Sequence, residues 1–342
     1  MSIVFIGVGP SCVALLCNWI RHHREWFSRQ KIILVEKNER LGIGDIHKYK
    51  IRSNSVLPAF RHIIPKEIEI NPLIKMLLDN IGVDFCPLSL VSEMLASIIE
   101  KIVNTYENIQ VHINTTVLTV IKKQVKLSSG KLINASHVIS TVGGQQQMPI
   151  EYKHLKNVIL STSVLENCPD ISGKRIAIIG ASHSAWSVVW TLNLHYMKPF
   201  QEINIFSRHK TRVFFRNTDQ ADIENYEYTQ HDICPETHQI HRFGGLRGDA
   251  KQTWRNQKNG VYPNIHHFIT NIIPDVSDFD IIIIAYNYKR REIPGDKSYI
   301  KYGMMSGMQL KCGEPSFKSS KDGIWLYSND LATQLTNIIK NP

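Results

Sequence analysis

Short runs of apolar, mostly β-branched residues punctuate this chain and predict its order of elements. "SIVFIGVG" and "KIILVEKN" near the start, "KRIAIIG" in the middle and "DFDIIIIAYNY" further on are continuous rather than alternating. That is how strands buried on both faces of a sheet read. The first run meets a glycine turn and then a stretch with helical character, Pro10 to Phe27, with proline suited to the first turn. Strand, helix and strand in close succession form a βαβ unit, and such units build parallel sheets. The middle run repeats the device: "KRIAIIGASHSAWSVVWTLN" gives strand, glycine turn and helix, and "EINIFSRH" gives the next strand.

The segments between these runs are more varied. A polar stretch holding Gly42, Gly44, Asn54 and Pro58 predicts a long loop. "PLSLVSEMLASIIEKIVNTY" has helical periodicity. "IQVHINTTVLTVIKKQVKLSSGKLINASHVIST" alternates around an "SSGK" turn, which predicts a small antiparallel insert returning to the buried strand "HVISTVGG". Lys210 to Asn264 carries few strong signals, and the tail "DGIWLYSNDLATQLTNIIK" predicts strand, turn and final helix. The repetition is therefore at the scale of domains.

Composition narrows the class without naming it. A chain of 342 residues can hold two domains, and its 43% hydrophobic and 20% charged content is that of an ordinary globular protein. No apolar run approaches the ~18 residues of a membrane helix, and the N-terminus enters a strand without a basic leader, so neither membrane span nor signal peptide is expected. Six cysteines (Cys12, Cys17, Cys86, Cys168, Cys234, Cys312) show no paired spacing, which favours a reducing, cytoplasmic setting and excludes a C-x-x-C redox centre. The net charge of +10 favours anionic partners, including nucleotide phosphates. The basic residues are dispersed, the longest cluster being "YKRR" at Tyr288 to Arg291, so a nucleic-acid partner is not expected.

The first glycine turn reads Gly7-x-Gly9-x-x-Cys12. Gly7 permits the tight turn, Gly9 lets backbone approach a diphosphate, and the positive end of the following helix favours the charge. Pro10 lacks a donor, so Ser11 and Cys12 supply the amides, and Cys12 stands where a third glycine would serve close helix–strand packing. Glu36, at the end of the second strand beside Lys37, is placed to accept from adenosine ribose hydroxyls. The competing reading is a glycine turn in a ligand-free α/β domain.

The second turn keeps Gly180, followed by Ala181, Ser182, His183 and Ser184. Small residues still allow close approach, and the serine hydroxyls can donate to phosphate oxygens. The next strand ends in Arg208 rather than an acid. A carboxylate there would repel a 2′-phosphate and an arginine would bind it, so NADPH is expected over NADH. The alternative is that Arg208, His209 and Lys210 form an exposed basic turn.

On these motifs the chain resembles the two-dinucleotide-binding-domain flavoproteins, which include flavin-containing and N-hydroxylating monooxygenases and thioredoxin-reductase-like oxidoreductases. "GVGPSCVALL" is similar to the opening of the N-hydroxylating enzymes. "HVISTVGG" and "DIIIIAYNY" match the strands that join the two domains, and "LYSNDLATQL" resembles the closing segment, with Asn329 where glycine is usual. The resemblance implies an α/β fold of two Rossmann-like domains with a small antiparallel β insert. The NADPH-binding domain (149–294) would be inserted in an FAD-binding domain made of 1–148 and 295–342. It places Asp330 on the ribityl chain and Leu331 near the pyrimidine end of the flavin, and adds Val117 and Gly143 to the FAD site. "IRSNSVLP" resembles the segment that carries an asparagine beside the reactive flavin face, which is Asn54 here.

The activity implied is that NADPH reduces FAD, and the reduced flavin takes up O₂ as a flavin peroxide that oxygenates a small nucleophilic N, S or carbonyl substrate. The alternative is an NADPH-dependent flavin reductase passing electrons to a quinone, ferredoxin or other acceptor. Two further segments stand apart. His231, Cys234, His238 and His241 lie close enough in sequence to reach a zinc ion, yet their spacing matches no standard module, so no metal is assigned. "RFGGLRGDAKQTWR" is either an NADPH or substrate contact through Arg247, or an interdomain loop with a helix cap at Asp249.

Overall fold

The computed structural model describes residues 2–56, 64–80, 85–195, 199–242, 244–302, 335–337 and 339–340. The first elements are β1 (Ser2–Ile6), α1 (Pro10–Ser28), β2 (Lys31–Val35), β3 (Arg52–Val56), α2 (Pro72–Asn80), β4 (Phe85–Pro87), α3 (Leu88–Thr105) and β5 (Ile109–His112). Next come β6 (Val117–Ile121), β7 (Gln124–Leu127), β8 (Leu132–Asn134), β9 (His137–Ser140), β10 (Gly144–Gln146), β11 (Val158–Leu160) and α4 (Ser161–Glu166). The rest are β12 (Arg175–Ile179), α5 (His183–Trp190), β13 (Glu202–Ser207), α6 (Thr218–Ile223), α7 (Gly248–Lys258), β14 (Ile265–Ile269), β15 (Ile281–Ile284), β16 (Tyr288–Arg290) and β17 (Ile300–Lys301).

Two five-stranded sheets carry the architecture, ordered β17-β9-β1-β2-β5 and β11-β15-β12-β13-β14. Every pairing within them is parallel. In each, the strand that ends in a glycine turn lies at the centre, and the chain moves first to one side of it and later to the other. The crevice at such a reversal, beyond the carboxyl ends of the strands, is where open α/β sheets bind ligands.

The continuous apolar runs are explained by burial on both faces. Ile3, Phe5, Ile32 and Leu34 face α1 and α3, while Val4, Ile6, Ile33 and Val35 pack against Val120, Val125 and Leu127 of the β6-β7-β8 insert. The second sheet repeats this: Ile176, Ile178, Ile203 and Ile205 face the helices, and Ala177, Ile179, Ile282 and Ile284 pack against Tyr152, Val276 and Phe279.

The sequence reading needs two corrections here. Ile109–His112 is not part of the antiparallel insert but a parallel partner of β2, and only β6, β7 and β8 form the insert. Alternation alone cannot distinguish a half-buried edge strand of a parallel sheet from a hairpin strand. The expected loop after Gly44 contains β3, which pairs antiparallel with β4. Lys210 to Asn264, poor in signals, supplies α6 and α7.

Helix α1 is buried on all sides from Cys12 to Ile20. At its centre Trp19 is fully buried, edge-on to Phe5 at 5.5 Å and to Trp26 at 5.1 Å. Its Nε1–H donates to Thr336 Oγ1 at 2.9 Å, which ties the C-terminal helical residues to the first sheet's core. Trp19→Ala is expected to lower unfolding free energy by about 3–5 kcal/mol in urea titration. Trp19→Phe, which keeps most of the packing, should cost far less.

Candidate functional site

The first cleft is built around Gly7. Its φ is +83°, and a Cβ there would lie 3.0 Å from Val142 Cα, so both backbone conformation and space demand glycine. Helix α1 then begins with Gly9 at its N-cap and Pro10 in its first turn, without a side-chain cap. Its first bond to the cap runs from Val13 N–H to Gly9 O at 3.1 Å, which leaves the Ser11 and Cys12 amides ahead of the helical ladder. Cys12 itself is fully buried and its thiol is held well above the usual range, first by desolvation and then by the Glu36 charge. Its side chain is a packing group, so it offers a ligand its backbone N–H alone.

Glu36 is 6% exposed and bridges two backbone donors, Val8 N–H at 2.6 Å and Asn38 N–H at 3.0 Å. It thereby pins the glycine turn to the end of β2, with Lys37 exposed beside it. A second wall comes from the Gly42–Gly44 turn: Gly42 N–H donates to Val8 O at 2.7 Å, and a Cβ on Gly44 would lie 2.8 Å from Pro10 Cδ. This wall was read in the sequence only as loop. The glycine cradle, bare helix start and adjacent carboxylate fit the diphosphate and ribose of FAD.

The second cleft repeats the geometry with different chemistry. Gly180 has φ +113°, and a Cβ there would approach Ala285 O to 3.2 Å. Ser182 is the N-cap of α5 without capping it. Burial, with Arg247 nearby, lowers the pKa of His183 against the raising effect of its bond to Gly245, and its Nε2–H donates to Gly245 O at 3.1 Å. Ser184 Oγ shares a hydrogen bond with the Tyr288 hydroxyl at 3.0 Å, and Ser161 Oγ lies 3.2 Å from the same hydroxyl. Arg208 is exposed just past β13 and forms no ion pair among the described residues, whereas Lys210 is paired with Glu227. Two serines at a bare helix start suit the diphosphate of NADPH, and an exposed guanidinium at the end of the next strand suits its 2′-phosphate.

A two-stranded ribbon, β10 with β16, crosses between the sheets. Gln146, 4% exposed, locks it in place: Nε2 donates to Ile284 O at 2.6 Å and Tyr286 O at 3.0 Å, and Oε1 accepts from Ser161 Oγ at 3.0 Å. Sequence reading missed Gln146 and Tyr288, for which no motif exists. Gly143, at the start of this crossing, has φ +71° with open space where a Cβ would sit, and Val117 is half-buried at the head of β6. Asn54 lies within β3. Asp330 and Leu331 lie outside the described residues.

The other two segments have structural employment. Cys234 N–H donates to Gln239 O and His238 N–H to Cys234 O, both at 2.8 Å, so the histidine-rich stretch is a tight turn in which His241 faces Asp232 at 3.5 Å. Among the described residues no group of three or more His, Cys, Asp or Glu converges as a metal site would. The Arg247 guanidinium stacks over Phe214 at 3.8 Å, and burial pulls its pKa down to about 10. Asp249 does not cap α7. Its carboxylate pairs with Arg52 instead.

Known proteins resemble this arrangement. The family of L-lysine 6-monooxygenases and L-ornithine 5-monooxygenases matches residues 99–268. A CMP-5'-(3-aminopropyl)phosphonate hydroxylase from Streptomyces rubellomurinus is 23% identical over 414 aligned positions, covering 96% of this chain and 94% of that protein. The L-lysine 6-monooxygenase of Pseudomonas syringae superposes with a TM-score of 0.60 at 15% identity, over 99% of this chain and 98% of that one. The ornithine N-hydroxylase of Kutzneria sp. 744, solved with reduced FAD, NADP⁺ and L-ornithine, gives 0.57 at 14% identity over 84% and 80%. The two structural likenesses concern the fold. Among the described residues no helix is long and apolar enough to cross a membrane.

Proposed function

We propose that the chain is a two-dinucleotide-binding-domain flavoprotein, an FAD- and NADPH-dependent monooxygenase that uses O₂ to hydroxylate the terminal nitrogen of a short primary amine that also bears an anionic group. The observation that carries this reading is the pair of glycine turns, each at the reversal point of its own parallel sheet. The amine is supported by the relatives. Lysine, ornithine and an aminopropylphosphonate ester all end in a primary amine on a short alkyl chain, with an anionic group at the other end. The net charge of +10 agrees with an anionic substrate.

In this reading Gly7, Gly9, Pro10, Ser11 and Cys12 cradle the FAD diphosphate, and Glu36 with Lys37 faces the adenosine ribose. Val117 and Gly143 flank the same site, and Asn54, Asp330 and Leu331 serve the flavin end. Gly180, Ser182, His183, Ser184 and Arg208 hold NADPH. Residues 1–148 with 295–342 form the FAD-binding domain and 149–294 the NADPH-binding domain. The chemistry that bound FAD supplies is hydride acceptance and O₂ activation. The work of this chain's own residues is to hold both diphosphates, orient the two rings and keep water out. A cytoplasmic setting goes with the reading, since the five described cysteines are all free.

The test supplies FAD-loaded protein, NADPH and O₂ with L-ornithine, L-lysine, 3-aminopropylphosphonate or its CMP ester. A hydroxylamine product one oxygen heavier, formed in step with NADPH consumption for at least one amine, is expected. NADPH consumption that ends entirely in hydrogen peroxide with every amine would overturn the amine assignment.

A further inference from the structure

The segment from Asp45 to Val56 leaves the wall of the first cleft and runs along the second half of the molecule. Asp45 pairs with Arg291 at 2.9 Å, Lys48 pairs with Glu166 at 3.1 Å, and Tyr49 packs against the second sheet's core. Those two ion pairs are a third exposed on both partners and contribute little alone. The last contact in the segment is of another kind. Asp249, in the first turn of α7, is 3% exposed. Its Oδ1 accepts from Arg52 Nε at 2.8 Å and Nη2 at 2.5 Å, and its Oδ2 accepts from the Arg52 backbone N–H at 3.0 Å. Both carboxylate oxygens of a buried acid are thus committed to one residue, by side chain and main chain together.

We propose that Arg52 and Asp249 are a positioning pair that sets where the NADPH-binding half sits against the flavin-binding half during hydride transfer. The proposal rests on the two-cofactor reading above. Arg52 begins β3, two positions before Asn54, while Asp249 sits in the first turn of α7, a few residues after Gly245, whose carbonyl holds His183 at the start of α5. One buried carboxylate therefore couples the strand assigned to the flavin face with the helix start assigned to NADPH. Two guanidinium donors on one carboxylate oxygen and a main-chain donor on the other fix orientation as well as distance, which a point contact would not do. Hydride transfer depends steeply on ring placement, so a loosened pair should slow transfer without weakening either cofactor's own grip.

Asp249→Asn keeps the shape and one acceptor but removes the charge. In the FAD-loaded variant under anaerobic conditions, flavin reduction at saturating NADPH is expected to fall on the order of 10²-fold. FAD content and the Kd for NADPH should stay near wild type, and Arg52→Lys should fall between the two. In cofactor-free protein, hydrogen exchange at residues 45–56 should quicken on the order of tenfold while β1 and β2 are unchanged. If Asp249→Asn does not fold, the pair is replaced together by Arg52→Met with Asp249→Leu, which leaves no orphan charge, and the same results are expected. A folded variant whose limiting reduction rate is unchanged overturns the proposal, as does a raised NADPH Kd at an unchanged limiting rate. A wild-type chain that takes up no FAD overturns the two-cofactor reading itself.

Discussion

Gly7→Ala is expected to yield a folded but nearly colourless protein after purification. The residue's φ of +83° lies in the left-handed region, and the added methyl would lie 3.0 Å from Val142 Cα and 3.2 Å from Val142 N. Holding alanine in that conformation costs of order 1–3 kcal/mol. The clash is with backbone, so relief requires moving either the turn or the 142–143 segment, and both border the same cleft. The turn also carries Val8, whose N–H and C=O are engaged by Glu36 and Gly42. A shift of Gly7 therefore disturbs the carboxylate, the second wall and the start of α1 together. FAD affinity should fall between about tenfold and a hundredfold, the equivalent of that strain. Absorbance in the flavin region of dialysed protein measures it, and an undiminished FAD content would show that the turn does not hold the diphosphate.

Arg208→Ala is expected to change which coenzyme the enzyme prefers. Arg208 is exposed and forms no ion pair among the described residues, so its removal leaves no buried group unsatisfied and should not affect folding. Its neighbour cannot replace it, because Lys210 is paired with Glu227. The guanidinium's proposed task is to bind the 2′-phosphate, present in NADPH and absent in NADH. kcat/KM with NADPH should drop roughly thirtyfold, the scale of one lost charge-assisted contact, and that with NADH should hold. Equal losses with both coenzymes, or with neither, would remove Arg208 from the site.

The parts of the fold visible in the sequence are those governed by local rules. Ile3–Ile6 and Ile281–Ile284 are continuous because each strand is covered on both sides, by helices on one and on the other by the insert for the first strand and by Tyr152, Val276 and Phe279 for the second. Gly7 and Gly180 stand out because a positive φ beside packed backbone admits no other residue. What escaped notice depends on distant partners. "RSNSV" is polar and short, so β3 could not be separated from loop, and its pairing with β4 spans a segment of unrelated character. Arg52 and Asp249 are 197 positions apart, and each looks like an ordinary surface charge until the chain is folded. Gln146 is the same case: a buried amide whose acceptors, Ile284 O and Tyr286 O, lie on the far side of the second sheet in sequence. Ile109–His112 shows the opposite failure, where a correct strand was given to the wrong sheet for want of any local sign of its direction.

The place of β17 bears on how the chain is made. All strands of the second sheet lie between Val158 and Ile284, whereas the first sheet receives its last strand, Ile300–Lys301 beside β9, only after the second is complete. During synthesis from the N-terminus, the later-encoded layer can therefore finish before the earlier one closes its edge. A nascent chain halted near residue 150 would expose the free margin of β9 to the chaperone machinery, and the whole of the second sheet would have to be synthesised before the first could shut.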